Sequence, residues 1–241
     1  IVVNEQLCLQ TAKKLGIDVP ESFVVQIEKN KTADADILFA TKRFDRFINN
    51  VSRKLNDMPV PYRLHQEDFA QALGINSLKK YEKNGEHYLK QMFNIIRSYS
   101  VNPIEDQLKL WRVTVFNFFI GNTDNHIKNY SLLYGKDLRT LRLAPCYDVV
   151  STKVYKNDIN EMSLSINGKL NMDEVSRTDF ELEAKSVGLG TKPAMKIFDE
   201  VQNRLCEALM ASSRELKENG FAQADEIAEK IEKGFRSRKL W

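Results

Sequence analysis

One stretch constrains the fold more than any other. Between Glu105 and Ile120 the chain carries Leu108, Leu110, Trp111, Val113, Val115, Phe116, Phe118 and Phe119. A helix apolar on so many sides has no face left for water, so it has to lie inside a body of other helices. The run is shorter than the ~20 residues that cross a bilayer, and no membrane role is expected. Supplying such a body takes a sizeable core, which 241 residues with 42% hydrophobic and 29% charged content can form.

The rest of the sequence sorts around that helix. Leu7, Cys8, Ala12 and Leu15 recur at helical spacing over Asn4 to Leu15, and Gly16 stands where a helix stops. Two strand-like runs follow, 23–27 and 37–41, joined by a charged link that predicts a hairpin. Residues 49 to 63 are polar, contain Pro59 and Pro61, and read as loop. Glu67 to Leu73 reads as a short helix ended by Gly74, with Gln66-Glu67-Asp68 at its acidic N-terminus. A longer helix is expected over Glu86 to Tyr99. Short strands are expected over Tyr130 to Tyr134, Leu141 to Leu143 and Met162 to Ile166. From Met172 to Arg238 the pattern is helical, broken at Gly188 to Gly190 and at Gly220. The fold class is therefore α+β, a small strand-containing N-terminal part before a larger, mostly helical one.

Charge and cysteine usage narrow the function. With 36 basic and 33 acidic residues the net charge is +3, too balanced to argue for direct nucleic-acid binding. Cys8, Cys146 and Cys206 are odd in number and widely spaced. They predict neither a disulfide framework nor a zinc knuckle, and a reducing compartment, the cytoplasm, fits them.

The chemistry is concentrated where the apolar helix ends. Gly121-Asn122-Thr123-Asp124-Asn125-His126-Ile127-Lys128-Asn129 packs an acid, an imidazole, an amine and three carboxamides into one turn, and Asp148 follows 24 positions after Asp124. Phosphoryl transfer uses such a set: one Asp orients the acceptor hydroxyl and takes its proton, while an Asn and a second Asp hold Mg²⁺ against the phosphates. Protein kinases separate the first two by five positions and place the third about twenty further on, past a short hairpin. Asp124, Asn129 and Asp148 repeat that order, without the His-Arg-Asp and Asp-Phe-Gly letters. Spacing alone also fits an ordinary turn, since Asn and Asp cap helices and tolerate left-handed backbone.

The letters go further. The segments 121–131 and 143–151, with Lys42-Arg43-Phe44-Asp45-Arg46, His65 to Gly74, Lys80-Tyr81-Glu82 and Met162 to Lys169, resemble the HipA-like serine/threonine kinases. These are the toxins of bacterial HipA–HipB toxin–antitoxin modules. The resemblance implies a protein-kinase-like bilobal fold, with residues 1–48 a remnant of the N-lobe with the lobe-connecting hinge. Residues 49–241 would be the helical C-lobe with the catalytic and metal loops. It implies ATP and Mg²⁺, with Asp124 as the catalytic base and Asn129 and Asp148 as metal ligands. Lys42, Arg43, Phe44, His126, Ile127, Lys128, Asn129, Tyr147 and Asp148 would line the nucleotide site. Lys42 stands where the family often has an acid. An aminoacyl-tRNA synthetase is the implied protein substrate, and a DNA-binding antitoxin of the HipB type the implied partner.

Two features leave other readings open. No Gly-rich phosphate loop or nucleotide lysine is visible before Asn4-Glu5, a pair that resembles the start of the family's first N-lobe helix. The chain is expected to be a C-terminal piece of a longer kinase, its missing parts trimmed, disordered or supplied by a second polypeptide, and to bind nucleotide weakly or not at all alone; a kinase-shaped binding module without catalysis is an alternative. The order Asp-x-His-x-x-Asn also resembles the phosphatidylinositol kinases, though no membrane-binding amphipathic segment accompanies it.

Overall fold

A computed structural model describes residues 1–27, 37–155 and 159–238. Its elements in chain order are α1 (Val2–Lys14), β1 (Ser22–Gln26), β2 (Ile37–Thr41), β3 (Arg46–Phe47), β4 (Lys54–Leu55), β5 (Met58–Pro59), β6 (Tyr62–Arg63), β7 (Gln66–Asp68) and α2 (Phe69–Ala72). After these come α3 (Tyr88–Tyr99), α4 (Pro103–Ile120), β8 (Ser131–Tyr134), β9 (Leu141–Leu143), β10 (Glu161–Ile166), β11 (Lys169–Asn171), α5 (Arg177–Ser186), α6 (Thr191–Glu218) and α7 (Gln223–Ser237). The fold is α+β and mostly helical.

The apolar helix is α4, and it sits in the middle. Trp111 is fully buried, with its ring edge-on to Phe93 of α3 and Phe180 of α5. Its indole N–H donates to the Ala194 carbonyl of α6 at 2.9 Å, so the one polar atom of the ring is satisfied in the core. Phe119 meets Phe198 of α6 at 5.0 Å and Phe235 of α7 at 5.3 Å. Pro103 at the first turn starts α4, and Gly121, at φ +72°, ends it in the left-handed conformation that glycine adopts without a Cβ penalty. α1 packs against α6 and α7, joined to the helical body.

The strands form small antiparallel ladders among the described residues. β1 pairs β2 from Ser22–Thr41 to Gln26–Ile37; the charged link of that expected hairpin lies outside the described residues. β7–β8–β9 is a three-stranded sheet and β10 pairs β11. Two expectations change. The polar stretch 49–63 contributes to two short ladders, β3–β6 and β4–β5. Gln66-Glu67-Asp68 is a strand paired to β8, not a helical turn. Its last residue, Asp68, caps α2 by accepting from Gln71 N at 2.8 Å, and the Gln71 side chain accepts from Asp68 N at 3.0 Å. The sheet partner, distant in sequence, overrides the local acidic-start pattern. No helix is long and apolar enough to cross a membrane among the described residues.

Candidate active site

The polar turn begins where α4 stops. A Cβ on Gly121 would lie 2.8 Å from Lys153 Cγ, so the close approach of the 152–154 turn demands glycine as well as the positive φ. That approach is fixed by hydrogen bonds: Thr152 Oγ1 donates to Gly121 O at 3.0 Å and accepts from Thr123 N at 2.8 Å. From the other side β10 holds the same turn. Ser163 N and Ser163 Oγ both donate to Thr123 O, at 3.0 and 2.7 Å. Asp124 thus projects from a turn pinned on two sides, and its own carboxylate is exposed. A single 3₁₀ turn, Ile127–Asn129, carries the chain into β8.

Asp148 arrives from the segment after β9. It has φ +56°, a left-handed conformation uncommon outside glycine, and such backbone concentrates at functional sites. Its flanks are anchored: Cys146 N donates to Asp18 O at 2.8 Å, and Ser151 is held by Asn4.

Asp124, Asn129 and Asp148 line one cavity of about 730 Å³, with Tyr81, Asn122, Thr123, Thr152 and Ser163 also in its wall. That volume lies in the general range of small-molecule pockets, ~300–1,000 Å³. Asn129 Nδ2 donates to Asp124 O at 3.2 Å, which orients the amide and leaves its Oδ1 as an acceptor. Mg²⁺ usually takes one or two protein carboxylates plus waters and phosphate oxygens. The Asp148 carboxylate and Asn129 Oδ1 are hard oxygen donors that suit such a partial shell. Among the described residues no three His, Cys, Asp or Glu side chains form a complete metal cage.

The other sequence-derived candidates, Lys42, Arg43, Phe44, His126, Ile127, Lys128 and Tyr147, are not in the wall of this cavity. His126 is buried; burial, and then the Lys80 ammonium, push its pKa down. A neutral ring can accept from Lys80 Nζ, 2.8 Å from Nε2, which puts the ring proton on Nδ1, a buried atom without a hydrogen-bond partner among the described residues. Ile127 is a core residue. Lys128 pairs with Asp68 at 2.8 Å. The Tyr147 hydroxyl contacts Ser131 Oγ at 2.5 Å and donates to Lys128 O at 3.1 Å, and its ring lies 5.8 Å from that of Phe44. Lys42 pairs with Glu21 at 3.5 Å, and Arg43 forks onto buried Asp45 with two bonds of 2.8 Å.

Sequence reasoning assigned no role to four residues here. Tyr81 Oη donates to Asp124 Oδ1 at 3.0 Å. Lys80 contacts His126, and Glu82 is buried against β10. Burial, with the Asp148 carboxylate adding to it, raises the Glu5 carboxyl to about 7. The Lys80-Tyr81-Glu82 letters were visible; the contacts, more than 40 positions away in sequence, were not.

Known proteins match the chain along most of its length. Residues 1–209 match the family model described as HipA-like C-terminal domain. A protein named "Putative kinase Y4mE" of Sinorhizobium fredii is 32% identical over 187 residues, covering 78% of this chain and 41% of that protein. The "Serine/threonine-protein kinase toxin HipA" of Shewanella oneidensis is 27% identical over 200 residues, covering 79% and 42%. The chain spans less than half the length of these curated relatives. Among solved structures, the Shewanella oneidensis HipA, HipB and operator DNA complex matches with TM-score 0.78 and 21% identity, over 96% of this chain and 54% of the other. The Helicobacter pylori proinflammatory kinase CtkA matches with TM-score 0.50 and 16% identity, over 94% and 88%. The chain shares the fold of these kinases.

Proposed function

The chain belongs to the HipA-like C-terminal domain family, and from that premise we propose that it is the catalytic portion of an ATP- and Mg²⁺-dependent serine/threonine protein kinase. The observation that carries this reading is the common cavity of Asp124, Asn129 and Asp148, in the order and spacing that phosphoryl transfer uses.

In this reading Asp124 accepts a hydrogen bond from the acceptor serine or threonine hydroxyl and takes its proton as the oxygen attacks the terminal phosphate. Asn129 Oδ1 and the Asp148 carboxylate hold Mg²⁺, which when bound neutralises charge on the phosphates. The pinning of Thr123 by Thr152 and Ser163 fixes the backbone that carries the base, so its place in the cavity is set before the acceptor arrives. Residues 1–48 serve as the N-lobe remnant with the hinge at Lys42-Arg43-Phe44, and residues 49–241 as the C-lobe. The Phe44–Tyr147 ring contact supports a hinge lying over the Asp148 segment.

The toxin character, an aminoacyl-tRNA synthetase as substrate, a cytoplasmic location and restraint by a HipB-type DNA-binding antitoxin extend the proposal. The toxin character and the antitoxin draw support from the named HipA relative and the HipA–HipB–operator structure; the synthetase substrate and the cytoplasmic location extend the family resemblance of the sequence alone. The test is transfer of radiolabelled phosphate from ATP by the full-length gene product, with and without aminoacyl-tRNA synthetases, beside Asp124→Asn. Loss of labelling in the variant is expected; equal labelling removes Asp124 from the catalytic role.

A further inference from the structure

The Lys80-Tyr81-Glu82 segment is left without a task by the proposed function, yet it touches the candidate base directly. Glu82 is its anchor. The side chain is 5% exposed, and its carboxylate accepts from Ser165 N at 3.1 Å and from the Ser165 hydroxyl. Glu82 N donates to Ser163 O at 3.0 Å. Ser163 in turn donates to Thr123 O. Segment 80–82, the turn bearing Asp124, and β10 therefore form a closed triangle in which each member is bonded to the other two.

Tyr81 sits at the corner facing the cavity. Its ring lies edge-on to His126, with centroids 5.6 Å apart, and Lys80 Nζ stands 4.7 Å above the ring and 2.8 Å from His126 Nε2. The hydroxyl so placed meets Asp124 Oδ1 at 3.0 Å. An unrestrained aspartate rotates broadly about χ2 and presents either oxygen. A hydrogen bond to a charged carboxylate is stronger than a neutral one and fixes that rotation.

We propose that Tyr81 is a positioning residue for phosphoryl transfer: its hydroxyl, braced by Lys80, His126 and Glu82, holds Oδ1 of Asp124 so that Oδ2 is presented to the acceptor hydroxyl. The proposal rests on the reading of Asp124 as the base. It assigns Tyr81 to the transfer step and not to nucleotide binding, because its polar contact is with Asp124 and neither Asn129 nor Asp148 is bonded to it.

The experiment is a double-mutant cycle in the full-length gene product: wild type, Tyr81→Phe, Asp124→Asn and the double variant. The readout is incorporation of labelled phosphate into the protein itself at saturating Mg-ATP, with KM for ATP measured alongside. Tyr81 is 47% exposed, so loss of one oxygen leaves the fold intact, which thermal melting checks. The expected result for Tyr81→Phe is a rate lower by about 10- to 150-fold, the worth of one charge-assisted hydrogen bond, with KM for ATP unchanged. In the Asp124→Asn background the same substitution is expected to change the residual rate by less than about twofold, since residues acting as a unit are not additive. An equal loss in both backgrounds, a raised KM for ATP, or an undiminished rate in Tyr81→Phe overturns the proposal. Where the Asp124→Asn rate is too small to compare, the rate and KM of Tyr81→Phe decide alone. Wild-type rates in Asp124→Asn, or no incorporation by the wild type, would instead overturn the reading beneath it.

Discussion

Asn4 and Ser151 lie 147 positions apart and hold each other by a reciprocal pair of hydrogen bonds. Asn4 Nδ2 donates to Ser151 O and Ser151 N donates to Asn4 Oδ1, each at 3.0 Å. The pair ties α1 to the segment between Asp148 and Thr152, and so connects the first helix to both loops of the candidate site. Asn4 is fully buried, so truncation to Ala leaves two backbone groups desolvated and unpaired. The expected loss for Asn4→Ala is about 2–4 kcal/mol of stability. Urea unfolding checks it, with the midpoint falling and the m-value constant. A loss below about 0.5 kcal/mol would mean that water replaces the amide.

What the sequence revealed and what it concealed divide along chain distance. The apolar surface of α4 and the stops at Gly16, Gly74, Gly121, Gly188 and Gly220 are local signals, and all five glycines have positive φ. The order Asp124, Asn129, Asp148 was legible for the same reason: two short loops carry it. By contrast, Gln66 to Asp68 became a strand because β8 lies alongside. Lys128 pairs with Asp68 rather than standing free, and Tyr81 meets Asp124 through a fold-level contact. No periodicity or motif spacing encodes those partners, because tertiary packing chooses them.

Gly121 offers a test with an internal control. Gly121→Ala meets both the left-handed strain and the Lys153 side chain, whereas Gly16, at nearly the same φ of +74°, has no neighbour within 4 Å of an added Cβ. Gly16→Ala is expected to cost about 1–2 kcal/mol from backbone strain alone. Gly121→Ala is expected to cost about 1–3 kcal/mol more, from overpacking against the 152–154 turn. Equal losses in thermal or urea unfolding would show that Lys153 moves aside freely.

Asp106 gives the acid limb of stability. It is fully buried and, although burial by itself would raise its pKa, hydrogen bonds from Arg142, Ser100 and Leu143 N hold it below the ordinary 3.8. A carboxyl whose folded pKa is depressed stabilises the fold above its unfolded value, and that stabilisation drains away as pH falls through the folded one. Asp106→Asn is therefore expected to be less stable than wild type by about 2–4 kcal/mol at pH 7. The gap should hold down to about pH 5 and narrow below the ordinary aspartate value, seen by urea unfolding across pH 3 to 7. A gap independent of pH would remove ionic bonding as its cause.

The thiols should separate cleanly. Burial pushes Cys8 and Cys146 up to about 12, while Cys206 on α6 is half-buried. At pH 8 a thiol of that pKa is thiolate about one part in 10⁴, and thiolate is the reactive form. Dithionitrobenzoate should therefore label Cys206 first in the native protein and all three cysteines in urea. Rapid native labelling of three thiols would contradict the burial of the Asp18–Cys146 contact.

Asp148 permits charge and shape to be separated. Its φ of +56° penalises most residues but suits Asn, which tolerates the left-handed region. Asp148→Asn should keep the fold within about 0.5 kcal/mol of wild type, while Asp148→Ala should lose about 1 kcal/mol more from backbone strain. If the carboxylate is a Mg²⁺ ligand, the Asn variant of the full-length gene product needs about tenfold or more Mg²⁺ for half-maximal phosphate transfer. The two effects move independently, so a fold-retaining variant with unaltered Mg²⁺ dependence would exclude Asp148 as a ligand without ambiguity about misfolding.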